Sequence, residues 1–281
     1  MTSTTATARS TWAPSRLRPR VLVALLQRDY RIRTSYSFTI AIDLFVGLLD
    51  VIVYYFISKT FKGANTENLG SAPSYFAFAL VGIAVTAVVQ ATAGSVGFRV
   101  REEQLTGTLE ALVTQPVRSS EMALGMCGLP FLWATARVAV YLTIGAVLLG
   151  LDLSNTDWVG FVAMILAIAA AMSALGIATG AVVIVSKRGN TISGMVLLAM
   201  GMLGGAVFPI AVLPSWLQEV GRFVPTRFAF DGLRDALYQG AGWGGDALIL
   251  GAIGVAALPL SIWAFSRGVH HARRAGSLSQ Y

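Results

Sequence analysis

At 281 residues, 55% hydrophobic and only 12% charged, with a mean hydropathy of +0.67, the chain has too few charges to coat a water-soluble domain of ordinary composition. The formal charge of +7 does not point to nucleic acid, because the basic residues gather at the ends of apolar runs, where they set topology and meet lipid headgroups. A hydrocarbon core about 30 Å thick takes roughly 20 apolar residues per helix, so this length holds about six spans with short loops and no second catalytic domain.

In chain order, residues 1–15 are rich in Ser, Thr and Ala and are expected to be a disordered tail without the pattern of a signal peptide. Residues 16–35 alternate Arg with Leu17, Val21, Leu22, Leu25, Leu26 and Ile32, which predicts a basic amphipathic helix on an anionic inner leaflet. The membrane domain is predicted over residues 36–266. Its first span, about Tyr36 to Ser58, carries Asp43 and Asp50 seven residues apart and so on one face. After a polar loop, a second span runs from about Ser74 to Phe98.

Arg99 to Glu121 is the longest charged passage between two spans and is expected to lie in water at a membrane surface. Leu105, Leu109 and Leu112 fall at i, i+4 and i+7, one face of a short helix, while Glu102, Glu103 and Glu110 stay wet and Pro116 ends it. The third span, about Leu124 to Leu149, contains Pro130, Arg137 and the only cysteine, Cys127, which excludes an internal disulfide framework and offers no metal-ligand spacing. A fourth, about Trp158 to Val185, has Gly176 and Gly180 spaced for close helix approach, and a fifth, about Thr191 to Val207, repeats this at Gly201 and Gly205. A sixth covers about Ala247 to Phe265, followed by a basic tail over residues 267–281.

With the amino terminus inside, the outer segments hold only Lys59, Lys62, Arg222, Arg227 and Arg234, and the inner ones hold nearly all other Lys and Arg. Both termini and the Arg99 to Glu121 stretch are therefore expected in the cytoplasm. Phe208 to Arg234 is too polar and Pro-rich for a further span yet remains apolar, which places it at the outer boundary. Ser215 and Gln218 fit a capping box for a short helix, and Arg227, Asp231 and Arg234 are spaced to pair along a second one after Pro225-Thr226.

Chemistry inside the membrane is sparse. The only histidines, His270 and His271, are adjacent and cannot both enter one site, so an enzyme is not expected. None of the three lysines follows a Gly-x-x-x-x-Gly loop, so any ATP must be bound by another chain. Asp43, Asp50 and Arg137 are the intramembrane charges, each costing about 2.5–3.5 kcal/mol unless paired or wetted. Counting from the span ends puts Asp50 and Arg137 at similar depth, which predicts an ion pair between them, with a proton or cation site as the rival reading. Tyr54, Tyr55 and Phe56, with Tyr75, Phe76 and Phe78, form either an interfacial aromatic belt or one wall of a route for an amphipathic molecule.

The wording of two segments narrows the class. Arg101-Glu102-Glu103, Gly107-Thr108-Leu109-Glu110-Ala111-Leu112 and Thr114-Gln115-Pro116-Val117 resemble the cytoplasmic loop of the type-two permeases of ATP-binding cassette exporters. Gly204-Gly205-Ala206-Val207-Phe208-Pro209, Leu213-Pro214-Ser215-Trp216-Leu217, Pro225 and Asp231-Gly232-Leu233-Arg234 resemble the end of the same permease domain. The resemblance implies an all-α membrane protein of six spans, with an amphipathic N-terminal interfacial helix, a cytoplasmic coupling helix and re-entrant outer helices between spans five and six. Contact with the ATPase would fall on Arg101, Glu102, Glu103, Leu105, Gly107, Thr108, Leu109, Glu110 and Leu112. Phe208, Pro209, Leu213, Pro214, Trp216 and Leu217 would close the outer end of the pathway, although a plug that only covers lipid-facing backbone fits the same residues. The implied partners are two nucleotide-binding ATPase subunits, which would hold the ATP and magnesium, a second permease subunit, most simply a second copy of this chain, and membrane lipid. The implied cargo is a drug, a lipid or a lipid-linked glycan, moved outward across the cell membrane. A proton-coupled secondary transporter using Asp43 or Asp50, and a non-transporting membrane scaffold, are the alternatives.

Overall fold

The structure is a computed structural model that describes residues 18–35, 37–60, 69–107, 117–185 and 189–275. All regular structure among these residues is helical. The helix α1 (Pro19–Thr34) starts on a proline and ends with Arg31 and Arg33 in its last turn, where cations favour the helix dipole. It leads into α2 (Ser37–Thr60), the first apolar span.

The second span is one continuous rod from Tyr75 to Leu105, made of α3 (Tyr75–Val89), a π-helical turn at Gln90–Gly94 and α4 (Ser95–Leu105). Ser74 opens it, its hydroxyl accepting the Ala77 N–H at 3.1 Å. The rod passes the expected end at Phe98 because nothing in Arg99 to Leu105 breaks a helix and its charges find partners on α1. It stops before Gly107, whose φ of +71° is a left-handed conformation that only glycine adopts without strain.

The third span, α5 (Ser119–Leu149), also starts earlier than its hydropathy suggests, since Glu121 is fully buried against Arg18, the residue that precedes α1. The fourth, α6 (Trp158–Val185), matches its expected bounds. Asp157 accepts the Val159 and Gly160 N–H groups at 2.9 and 3.1 Å and the Trp243 indole N–H at 2.9 Å. The Gly160 N–H above all holds this carboxyl below the usual range.

The fifth apolar helix departs from expectation. It is α7 (Gly189–Gly204), ended by Gly205 at φ +85° rather than continuing to Val207. Its 16 residues reach about 24 Å at 1.5 Å per residue, short of a hydrocarbon core of about 30 Å. Among the described residues, five helices are long and apolar enough to cross a membrane, and α7 falls among the shorter apolar ones. Beyond it lie α8 (Ser215–Gly221), α9 (Pro225–Arg234), a π-helical turn at Asp235–Gln239 and α10 (Gly244–Ala275). α10 carries Arg267 and His270 within the helix, so the basic tail expected from residue 267 is helical as far as Ala275.

The core lies around the rod from Tyr75 to Leu105, whose most apolar 18 residues are 78% buried, against 6% for α2. An all-round apolar helix belongs inside a bundle, and Phe76, Leu80, Val81, Ala84, Val85 and Val88 pack on every side. Glycines set the closest approaches: Gly254 of α10 meets the Ala170–Ala171 backbone of α6, and Gly176 of α6 meets the π turn at Ala93. The Gly201 position of α7 has nothing within 4 Å, so its spacing marks no contact among the described residues. A Cβ on Gly176 would stand 2.9 Å from the Ala93 Cα, a backbone atom that no rotamer change can move aside. Gly176→Ala is expected to cost on the order of 1–3 kcal/mol, read as a lowered unfolding midpoint of the purified protein. Gly194→Ala, at a helical position with open space, should leave the midpoint level or raise it.

Candidate functional site

Charged side chains gather at three levels of the bundle. At the α1 end, Arg18 grips Glu121 of α5 with its Nε at 3.0 Å, its Nη2 at 2.8 Å and its own backbone N–H at 3.1 Å. Leu25 and Leu26 cover Gly125 and Gly128 of the same helix. Asp29 of α1 is 6% exposed and pairs with Arg99 of α4 and with its neighbour Arg28, whose guanidinium also reaches Glu103 at 3.2 Å. The amphipathic helix is thus docked on α4 and α5 through its polar side and part of its apolar side, while Val23 and Ile32 stay exposed.

This docking changes the reading of the expected coupling residues. Glu103 is engaged by α1, Arg101 is half-buried, and Glu102 and Leu105 are exposed at the end of α4. Leu105 is not the start of a separate helix: it closes α4, and the left-handed Gly107 separates it from the rest of the loop. Thr108, Leu109, Glu110 and Leu112 lie outside the described residues.

At mid-bundle the expected Asp50–Arg137 pair does not form. Arg137 of α5 binds Asp43 at 3.0 Å, and Arg33 of α1 reaches the same carboxylate at 3.4 Å while covering the Trp133 ring at 5.1 Å. The two helices expected to share an ion pair do share one, through a different acid. Counting depth from span ends treats α2 and α5 as starting level, but the first turns of α5 run beside α1 instead, so Arg137 stands opposite the beginning of α2. One turn further on, the Tyr141 ring fills the space beside Gly47, which fixes this register. Asp50 is left exposed on the outer face of α2, with no ion pair or hydrogen bond among the described residues.

At the far end, α9 is held by its polar residues. Thr226 donates to the Met200 carbonyl at 2.6 Å, and Arg227 and Arg234 pair with Asp231 at 3.5 and 3.6 Å, as their spacing predicts. Arg234 is 3% exposed, donates to the Gly205 carbonyl at 2.8 Å and the Phe78 carbonyl at 3.3 Å, and lies 3.6 Å over the Phe78 ring. Tyr238 adds a hydrogen bond to the Ala77 carbonyl at 2.9 Å. Arg234 therefore ties α9, the end of α7 and the beginning of α3 together. Its place in the sequence suggests only one more outer charge, and the one signal for this role is its spacing from Asp231.

The residues expected to close this end are peripheral by comparison. Phe208, Pro209, Leu213 and Leu217 are half-buried, and Pro214 and Trp216 are exposed. Ser215 forms no capping box: it is the first helical residue of α8, and Gln218 turns back to donate to the Leu213 and Ala211 carbonyls at 2.8 and 3.3 Å. Phe76 and Phe78 are buried in the core rather than in an interfacial belt. Tyr54 and Tyr75 stand 6.4 Å apart, Tyr75 stacks on Phe78 at 6.4 Å, and the Tyr75 hydroxyl donates to the Val207 carbonyl at 3.1 Å.

Five helices long and apolar enough to cross a membrane, with charge pairs set among them, are the pattern of a multi-span membrane protein. The profile of the ABC-2 type transporter family matches residues 20–238, and the chain belongs to that family. It is the membrane permease component of such an exporter and carries no ATPase site of its own. No curated protein matches the chain.

Proposed function

We propose that this permease works as a pair of identical chains bound to two separate ATPase subunits, and that ATP hydrolysed there, with magnesium, drives an amphipathic drug, lipid or lipid-linked glycan out of the cell. Both termini lie in the cytoplasm and α7 makes the fifth of six crossings, with α8 and α9 re-entrant at the outer side. The observation that carries this reading is the unbroken rod from Tyr75 to Leu105. A force on residues 108–116, the segment that resembles a coupling helix, reaches the most buried helix of the bundle along that rod. The seam between copies is best supplied by α2 and α7, whose exposed apolar residues include Phe45, Ile52, Phe56, Ile192, Met195 and Leu198.

The test is capture. The tagged permease extracted from its native membrane should retain an ATPase with a phosphate-binding loop, and Leu109→Arg should lower that yield at least about tenfold, roughly 1.4 kcal/mol of binding. Recovery of equal ATPase from wild type and variant would sink the proposed contact. One observation favours a second reading, the exposed Asp50 carboxylate at membrane depth, which suits a proton-coupled transporter. Transport that follows an imposed pH gradient and ignores ATP would select it.

A further inference from the structure

Of the two acids of α2, Asp50 is the one to which the fold gives no counter-charge among the described residues: Arg137 and Arg33 are both committed to Asp43, seven residues below it. That separation is about 10 Å along a helix. Asp50 lies roughly 20 Å from the start of α2, on the face that exposes Val46, Leu49 and Val53. In plain hydrocarbon its charge would cost about 2.5–3.5 kcal/mol. Asp50 therefore needs a positive charge from outside the described bundle or a proton.

We infer that Asp50 is the anchor of a binding site for amphipathic organic cations, an ammonium or similar group on an apolar body, with Tyr54 and Tyr75 as its aromatic wall. This rests on the exporter reading above and names its cargo class. A second copy cannot supply the charge by seating the same face, since a two-fold contact sets Asp50 near its own equivalent and α7 carries no Lys or Arg. A metal ion is a poor match, because hard cations need a shell of several oxygen ligands and no group of acids or histidines that could hold a metal occurs among the described residues. The surroundings instead offer apolar surface and π faces. Tyr54 follows Asp50 by four residues on α2, so the two side chains are neighbours on one face of the helix. From Tyr54 the aromatic wall continues to Tyr75, 6.4 Å away. The faces of such rings attract cations, and the chain already uses this at the rim, where the Lys59 ammonium lies 4.6 Å over the Tyr55 ring.

The test uses the full-length permease in phosphatidylcholine nanodiscs, without ATPase, and two probes of the same shape and opposite charge, tetraphenylphosphonium and tetraphenylborate. Equilibrium dialysis against empty nanodiscs should find saturable binding of the phosphonium. Asp50→Asn should weaken it at least about tenfold, Asp50→Glu should keep most of it, and borate binding should not fall in either variant. Because Asp50 is exposed and bonds to none of the described residues, the Asn variant should elute as the wild type does on gel filtration. Equal phosphonium binding by wild type and Asp50→Asn overturns the inference. So does the absence of saturable binding by wild type, which leaves Asp50 a proton site. Loss of ATPase capture with Asp50-dependent binding intact would remove the exporter reading alone, and the converse would remove only the cargo class.

Discussion

Replacing Arg234 with methionine is expected to destabilise the far end of the bundle by on the order of 3–5 kcal/mol, the usual consequence of deleting one member of a buried charged network. The guanidinium bonds two carbonyls, covers Phe78 and faces Asp231 from a position closed to solvent. Methionine can fill part of the volume, but it leaves the Gly205 carbonyl without this donor and Asp231 with Arg227 alone. Arg234→Lys should fall between, because an ammonium lacks the planar fork that reaches both carbonyls while stacking on a ring. The check is the thermal unfolding midpoint of each purified variant beside transport by the reconstituted complex. A methionine variant that unfolds and transports like wild type would show that α9 needs no such tie.

The second large effect belongs to Asp43 and Arg137. Arg137→Met should destabilise by about 2–3 kcal/mol, the cost of an unpaired carboxylate at membrane depth, lessened because Arg33 remains beside Asp43 and that side chain is partly open. Adding Asp43→Asn should recover most of the loss, a coupling of about 1–3 kcal/mol for residues in direct contact. Adding Asp50→Asn instead should recover none of it. Recovery by Asp50→Asn would mean that the register set by Tyr141 beside Gly47 is wrong by two turns of α2.

Much of the bundle is legible in the sequence because apolar length is a local property. α6 is bounded by the acid that caps it and by the charges at Lys187-Arg188, and both are visible without tertiary knowledge. Boundaries fail where a distant partner neutralises a charge. Arg99 and Glu103 look like the end of a span only until Asp29 and Arg28 are seen beside them, and Glu121 looks like solvent-facing sequence until Arg18 is placed against it. The same cause displaces the intramembrane pair, since relative depth depends on α1 lying along α5. The short α7 is the opposite case: hydropathy continues past Gly204, but a left-handed Gly205 ends the helix, and single-residue backbone conformation leaves little trace in composition. Of the site, the ion pairs of α9 could be read from spacing, while the burial of Arg234 depends on Phe78 and Gly205, both remote in sequence.

The most direct measurement places a photo-activated cross-linking residue at position 109 in cells and asks what it captures, with an impermeant thiol reagent applied to a Leu109→Cys variant to report its side. The expected result is an adduct with an ATPase carrying a phosphate-binding loop, together with no labelling until the membrane is opened. Labelling of intact cells from outside, with no ATPase adduct, would contradict the assignment of this segment as the contact through which a separate engine drives the permease.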